Sequence, residues 1–189
     1  EMIGQTPLVL LESFSDENVK IYAKLEQFNP GGSIKDRLGK YLIEKAIDEG
    51  RLKEGDTIVE ATAGNTGIGL AIASNRHKVK CIIFAPEGFA EEKISIMKAL
   101  GADVRRTPKV EGMTGAQQEA LAYATRYGYL YMNQFETKDN PGAYTQTLAK
   151  QLTDELSHID YFVAGVGSGG TFTGVAQHLK TYDVKNYIV

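Results

Sequence analysis

The strongest constraint on this chain is an alternation. Short apolar runs of strand length are followed repeatedly by stretches whose apolar residues recur at helical spacing. TIVEA (57–61), KCIIFAP (80–86) and YFVAGV (161–166) are such runs. The segment from Ser33 to Gly50 instead places Leu38, Leu42, Ile43, Ala46 and Ile47 along one side and stops at a glycine. Strands joined by crossover helices pair in parallel and bury both faces, so the pattern predicts an α/β fold on a mainly parallel sheet flanked by helices. Further strands are expected at PLVLL (7–11), VKIYAKLE (19–26), ADVRRT (102–107) and YLYMNQF (129–135). Further helices are expected at GIGLAIASNR (67–76), EEKISIMKALG (91–101), GMTGAQQEALAYATRYG (112–128), AYTQTLAKQLTDEL (143–156) and FTGVAQHLK (172–180). The closing NYIV reads as the opening of another buried strand, and the sequence is therefore expected to be part of a longer chain.

Composition narrows the function classes. Of 189 residues 42% are hydrophobic, enough for a real core. Lysine and arginine number 21 against 24 acidic residues, a net charge of -3. No long run carries one sign, which argues against nucleic acid or an anionic membrane and for a small neutral or anionic ligand. No apolar run approaches the roughly 20 residues a bilayer span requires, and EMIGQTPLV lacks a signal-peptide layout. The single cysteine, Cys81, sits inside an apolar strand and cannot form an internal disulfide. A reduced, cytoplasmic setting is the expectation.

Three junctions carry chemistry. Where a strand of a parallel sheet turns into a helix, free backbone N–H groups favour an anion. In GVGSGGT (165–171), Gly167, Gly169 and Gly170 let backbone approach a ligand, and Ser168 and Thr171 add hydroxyls, which makes a phosphate cradle or, more plainly, a tight turn. The same residues match G-x-G-x-x-G at Gly165, Gly167 and Gly170, so a dinucleotide stays open. Its confirming acidic residue would lie past Val189, and Asp183 precedes the strand. In the second junction Thr62, Gly64, Asn65, Thr66 and Gly67 can cup a carboxylate, or form a polar turn with Thr66 capping the helix. In NPGGSIKDR (29–37), Ser33 and Asp36 make a capping-box pattern that puts Lys35 in the first helical turn. There the helix dipole disfavours the ammonium form, and the amine becomes a candidate nucleophile rather than a solvated charge.

A phosphate cradle, a carboxylate loop and a nucleophilic lysine together describe pyridoxal phosphate holding an amino acid. On these residues, and on IGQTPLV (3–9), NPGGSIKDR, TAGNTGIGLA (62–71), MNQF (132–135) and GSGGTFTG (167–174) in that order, the chain resembles the cysteine synthase and cystathionine β-synthase group of fold-type II pyridoxal phosphate enzymes. The resemblance implies Lys35 as Schiff-base lysine and proton carrier, Asn65 at the cofactor's ring hydroxyl, and Gly167, Ser168, Gly169, Gly170 and Thr171 around its phosphate. It implies Thr62, Ala63, Gly64, Asn65, Thr66 and Gln134 on the substrate carboxylate, with Ala63 standing where members often carry serine. It further implies a smaller domain over 32–144 and a larger one from 1–31 with 145–189, incomplete at its C-terminal side, and a homodimer. The implied reaction is β-replacement on O-acetyl-L-serine through an aminoacrylate, with sulfide giving L-cysteine or homocysteine giving cystathionine. The family's ring-nitrogen partner would fall beyond Val189. A nicotinamide-dependent dehydrogenase and a non-catalytic fragment are the alternatives.

Overall fold

In the computed structural model, which describes residues 2–89, 91–182 and 185–188, the alternation becomes three sheets. Asp183 and Val189, weighed above, lie outside the described residues. The central sheet has four parallel strands in the order β5-β4-β3-β6, made of β3 (Thr57–Ala61), β4 (Lys80–Pro86), β5 (Asp103–Thr107) and β6 (Leu130–Tyr131). Because side chains alternate across a strand, its two faces bury separate clusters. Ile58, Cys81, Ile83 and Ala85 face α1 (Lys35–Asp48) and α2 (Asn65–His77). Val59, Ala61, Ile82 and Phe84 face α4 (Gly112–Tyr127), which presents Ala116, Ala120 and Ala124, one small residue per turn. The remaining helix of this unit is α3 (Glu91–Ala99).

The other two sheets have two strands each. β1 (Leu8–Leu10) pairs antiparallel with β2 (Tyr22–Lys24), and β7 (Tyr161–Ala164) pairs parallel with β8 (Lys185–Ile188). A helical run joins them to the rest: α5 (Asn140–Tyr144), a π-helical turn (Thr145–Ala149) and α6 (Lys150–Glu155), with α7 (Gly170–Leu179) after β7.

Two elements differ from expectation. The strand expected over 129–135 ends at Tyr131, because Asn133 takes a left-handed backbone (φ 48) that turns the polar tail out of the ladder. The single helix expected over 143–156 is interrupted. The Thr145 hydroxyl shares its one hydrogen between Pro141 O (3.2 Å) and Gly174 O of α7 (2.8 Å), and the backbone widens into the π turn at that contact. Among the described residues no helix is long and apolar enough to cross a membrane.

Candidate active site

The starts of α1 and α2 come together because glycines let their backbones touch. A Cβ on Gly39 would stand 2.3 Å from the Gly69 carbonyl carbon, and one on Gly69 would stand 2.4 Å from the Lys35 carbonyl oxygen. The crossing therefore needs glycine on both helices, and it sets Lys35 against the first turn of α2. A cleft of about 380 Å³ opens there, lined by Ile34, Lys35, Thr62, Gly64, Asn65, Thr66, Gln134, Phe135, Gly165, Gly167, Ser168, Gly169 and Thr171. Two of the expected site residues do not line it. Ala63 packs against the hydrophobic core, and Gly170 lies against Asn140, where a Cβ would come within 1.8 Å of Oδ1.

The Lys35 amine donates to Ser168 Oγ at 3.3 Å and lies 5.9 Å from the centre of the Tyr144 ring. Burial lowers its pKa, in the direction expected from the helix dipole but through desolvation. The capping box does not form as expected. Ser33 Oγ accepts the Lys35 N–H at 3.2 Å, while the Asp36 carboxylate turns back to the Gly31 N–H and not to that of Ser33. Nor does Thr66 cap α2. Gly64 precedes that helix, and the Thr66 hydroxyl donates to Gln134 Oε1 at 2.6 Å.

Gln134 is held from behind. Glu60, completely buried in β3, accepts the Gln134 N–H at 3.0 Å and its neighbour Ala61 N–H at 2.7 Å. Burial pushes its carboxyl up to about 7, against those two hydrogen bonds. Tyr144, fully buried beside Lys35, has its phenol pushed up to about 12 by the same cause. Sequence reasoning passed over both. Glu60 did leave a trace, as the one charge in an otherwise apolar strand.

The glycine turn fits an anion. Cβ atoms on Gly167 and Gly169 would meet nothing within 4 Å, and Gly169 adopts φ 81, directing the turn into the N-terminus of α7. A primary amine, an anion turn at a helix start and a set of hydroxyls and amides sized for a carboxylate share one cleft. These residues suit pyridoxal phosphate. The family model described as pyridoxal-phosphate dependent enzyme matches residues 1–189.

The chain belongs to that family. This pyridoxal-phosphate family membership displaces the dinucleotide reading of GVGSGG. The chain is 50% identical to O-acetylserine dependent cystathionine beta-synthase of Bacillus subtilis (strain 168), over 100% of its own length and 63% of the relative's. It is 48% identical to cysteine synthase of Helicobacter pylori (strain ATCC 700392 / 26695), over 95% and 60%. Among solved structures, the O-acetylserine dependent cystathionine beta-synthase from Helicobacter pylori superposes with a TM-score of 0.92 at 44% identity, covering 99% of this chain and 63% of that one. The chain thus spans 63% and 60% of the length of these two curated relatives.

Proposed function

We propose that this chain carries the lysine, phosphate turn and carboxylate loop of an enzyme that replaces the β-substituent of O-acetyl-L-serine with a thiol. Sulfide gives L-cysteine and homocysteine gives cystathionine. The observation that carries the reading is the convergence of a half-buried, pKa-lowered Lys35 amine with Ser168 at 3.3 Å and with the Thr66–Gln134 pair in one cleft. The names of the relatives supply the substrate class.

Pyridoxal phosphate, when bound, supplies an electron sink for the carbanion at the substrate's α-carbon. The turn from Gly167 to Thr171 would hold its phosphate, Asn65 its ring hydroxyl and Lys35 its aldehyde carbon. The amides and hydroxyls of Thr62, Gly64, Asn65 and Thr66, with Gln134, bind and orient the amino-acid carboxylate. Lys35 Nζ, its charged form disfavoured by burial, takes the α-proton as acetate departs and returns it after the thiol adds. The junction of β3 and α2, whose Thr62, Gly64, Asn65 and Thr66 line the cleft, keeps water from the reacting β-carbon. The two-domain division at 32–144 belongs to this reading. The four-stranded sheet lies wholly inside that range and both two-stranded sheets lie outside it. A homodimer in the cytoplasm completes it.

The test is direct. The purified protein turns yellow with pyridoxal phosphate, and borohydride fixes the cofactor to Lys35. Lys35→Ala abolishes the fixation and lowers turnover of O-acetylserine, with sulfide or homocysteine, by about a thousandfold. A wild-type protein that stays colourless with added cofactor refutes the proposal, and parallel assays with the two thiols assign the second substrate.

A further inference from the structure

Asn140 sits between the two ligand-binding loops without lining the cleft. It opens α5, is 2% exposed, and its amide nitrogen donates to Gln134 O at 2.8 Å and to Ser168 Oγ at 3.1 Å. The backbone carbonyl of Gln134 can only accept, so the group facing it is the NH₂. Asn140 Oδ1 is buried, has no hydrogen-bond partner among the described residues, and lies against Gly170 at the start of α7. A side chain that leaves one buried acceptor unsatisfied carries a desolvation cost. The same geometry yields two donations to two different loops.

Ser168 gives those donations a direction. A hydroxyl has one O–H and two lone pairs. One lone pair of Ser168 is taken by the Asn140 amide at 3.1 Å, a donation that does not depend on whether Lys35 Nζ, at 3.3 Å, is free. The hydroxyl hydrogen therefore points away from Asn140, and Ser168 itself lines the cleft. The other hydrogen of the Asn140 amide fixes the backbone of Gln134, whose side chain accepts from Thr66.

We propose that Asn140 is a positioning residue that turns the Ser168 hydroxyl outward as a donor to the anion in the glycine turn, and that locks this turn to Gln134. The phosphate site and the carboxylate site then shift together. The inference rests on the function proposed above and names for it a residue in neither ligand shell.

The experiment measures two affinities on purified protein: pyridoxal phosphate by absorbance titration, and L-alanine, which has no leaving group on its β-carbon, by the spectral change it causes in the loaded protein. Asn140→Asp keeps the shape, removes both donations, and offers Ser168 an acceptor that draws its hydrogen away from the cleft. It is expected to weaken both affinities, each by about tenfold. Ser168→Ala is expected to weaken only the cofactor, and the double variant to bind cofactor no more weakly than either single variant, because both act through one hydroxyl. Asn140→Ala, which introduces no charge, supplies the same comparison if Asn140→Asp does not fold. Unchanged L-alanine affinity in the Asn140 variant, or cofactor losses that add with Ser168→Ala, overturns the inference and leaves the proposed function standing. A wild-type protein that takes up no pyridoxal phosphate overturns both.

Discussion

Glu60 shows how one buried group serves the site and burdens the fold. Both of its oxygens accept backbone N–H groups, and one of these fixes Gln134 behind the cleft. Its carboxyl is raised from 4.5 to about 7, so between those values the folded state binds a proton that the unfolded chain has released. Stability from this group is therefore fully present below 4.5 and is lost as pH rises through 7. The shift corresponds to about 3 kcal/mol at most. Urea unfolding of wild type and Glu60→Gln across this pH range isolates the effect. The difference in stability between the two is expected to drift by a few kcal/mol in that direction, and a difference independent of pH would contradict the assignment. The same substitution sets an NH₂ against one of the two N–H donors, so the affinity for the amino-acid substrate is expected to fall about tenfold.

At the scale of elements the site depends on the crossing of α1 and α2. Gly69→Ala places a methyl 2.4 Å from the Lys35 carbonyl, a backbone atom that cannot swing aside. The expected cost is about 1–3 kcal/mol of stability, read as a lowered urea midpoint, together with loss of the yellow colour as Lys35 is displaced. A variant with full colour and an unchanged midpoint would show that the crossing does not position the lysine. This crossing was not legible in the sequence, where Gly39 and Gly69 look like ordinary helix glycines. What was legible is what local pattern encodes. β3 and β4 occupy the residues that their apolar runs predict, and the glycine turn and Lys35 announced themselves through turn chemistry and helix starts. Gln134 entered only through the family resemblance. Its partners Thr66 and Glu60 lie 68 and 74 residues away in sequence, and no local period reports contacts of that range. The strand before it ends at Tyr131, ahead of the left-handed Asn133, for the same reason. Its chain leaves the ladder to meet distant groups, at a local cost that propensity alone would not predict.

At the scale of the whole molecule, Arg37 ties the lysine helix to the segments around it. Two residues beyond Lys35 and with its side chain only 1% exposed, it makes a two-pronged pair with Glu26 (2.8 Å each). It also donates to Gly4 O and Thr6 Oγ1 at 3.0 Å and to Gln151 Oε1 of α6 at 2.8 Å. The IGQTPLV segment thus gains a physical role as the partner of this guanidinium. Burial works to raise the Glu26 carboxyl, but the hydrogen bond and charge of Arg37, with help from Thr6 and Asn29, outweigh it and hold the pKa below 4.5. A carboxylate lowered in this way stabilises the fold above its unfolded pKa and loses that contribution as pH falls through the folded value. Removing one partner of a buried pair leaves the other charge uncompensated, so Arg37→Ala is expected to cost about 3–5 kcal/mol at neutral pH. Without the arginine, burial dominates Glu26, and the acid side of the stability profile changes form. Wild type weakens as pH falls from 4.5 through the lowered folded value of Glu26, whereas in the variant that decline is lost because protonation now relieves a stranded charge. Unfolding midpoints measured down that range for wild type, Arg37→Ala and the double variant Arg37→Ala/Glu26→Gln decide it. Parallel acid profiles for wild type and Arg37→Ala would mean that the pair does not govern how these segments hold together, and the double variant is expected to recover part of the neutral-pH loss because it removes the stranded carboxylate along with its partner.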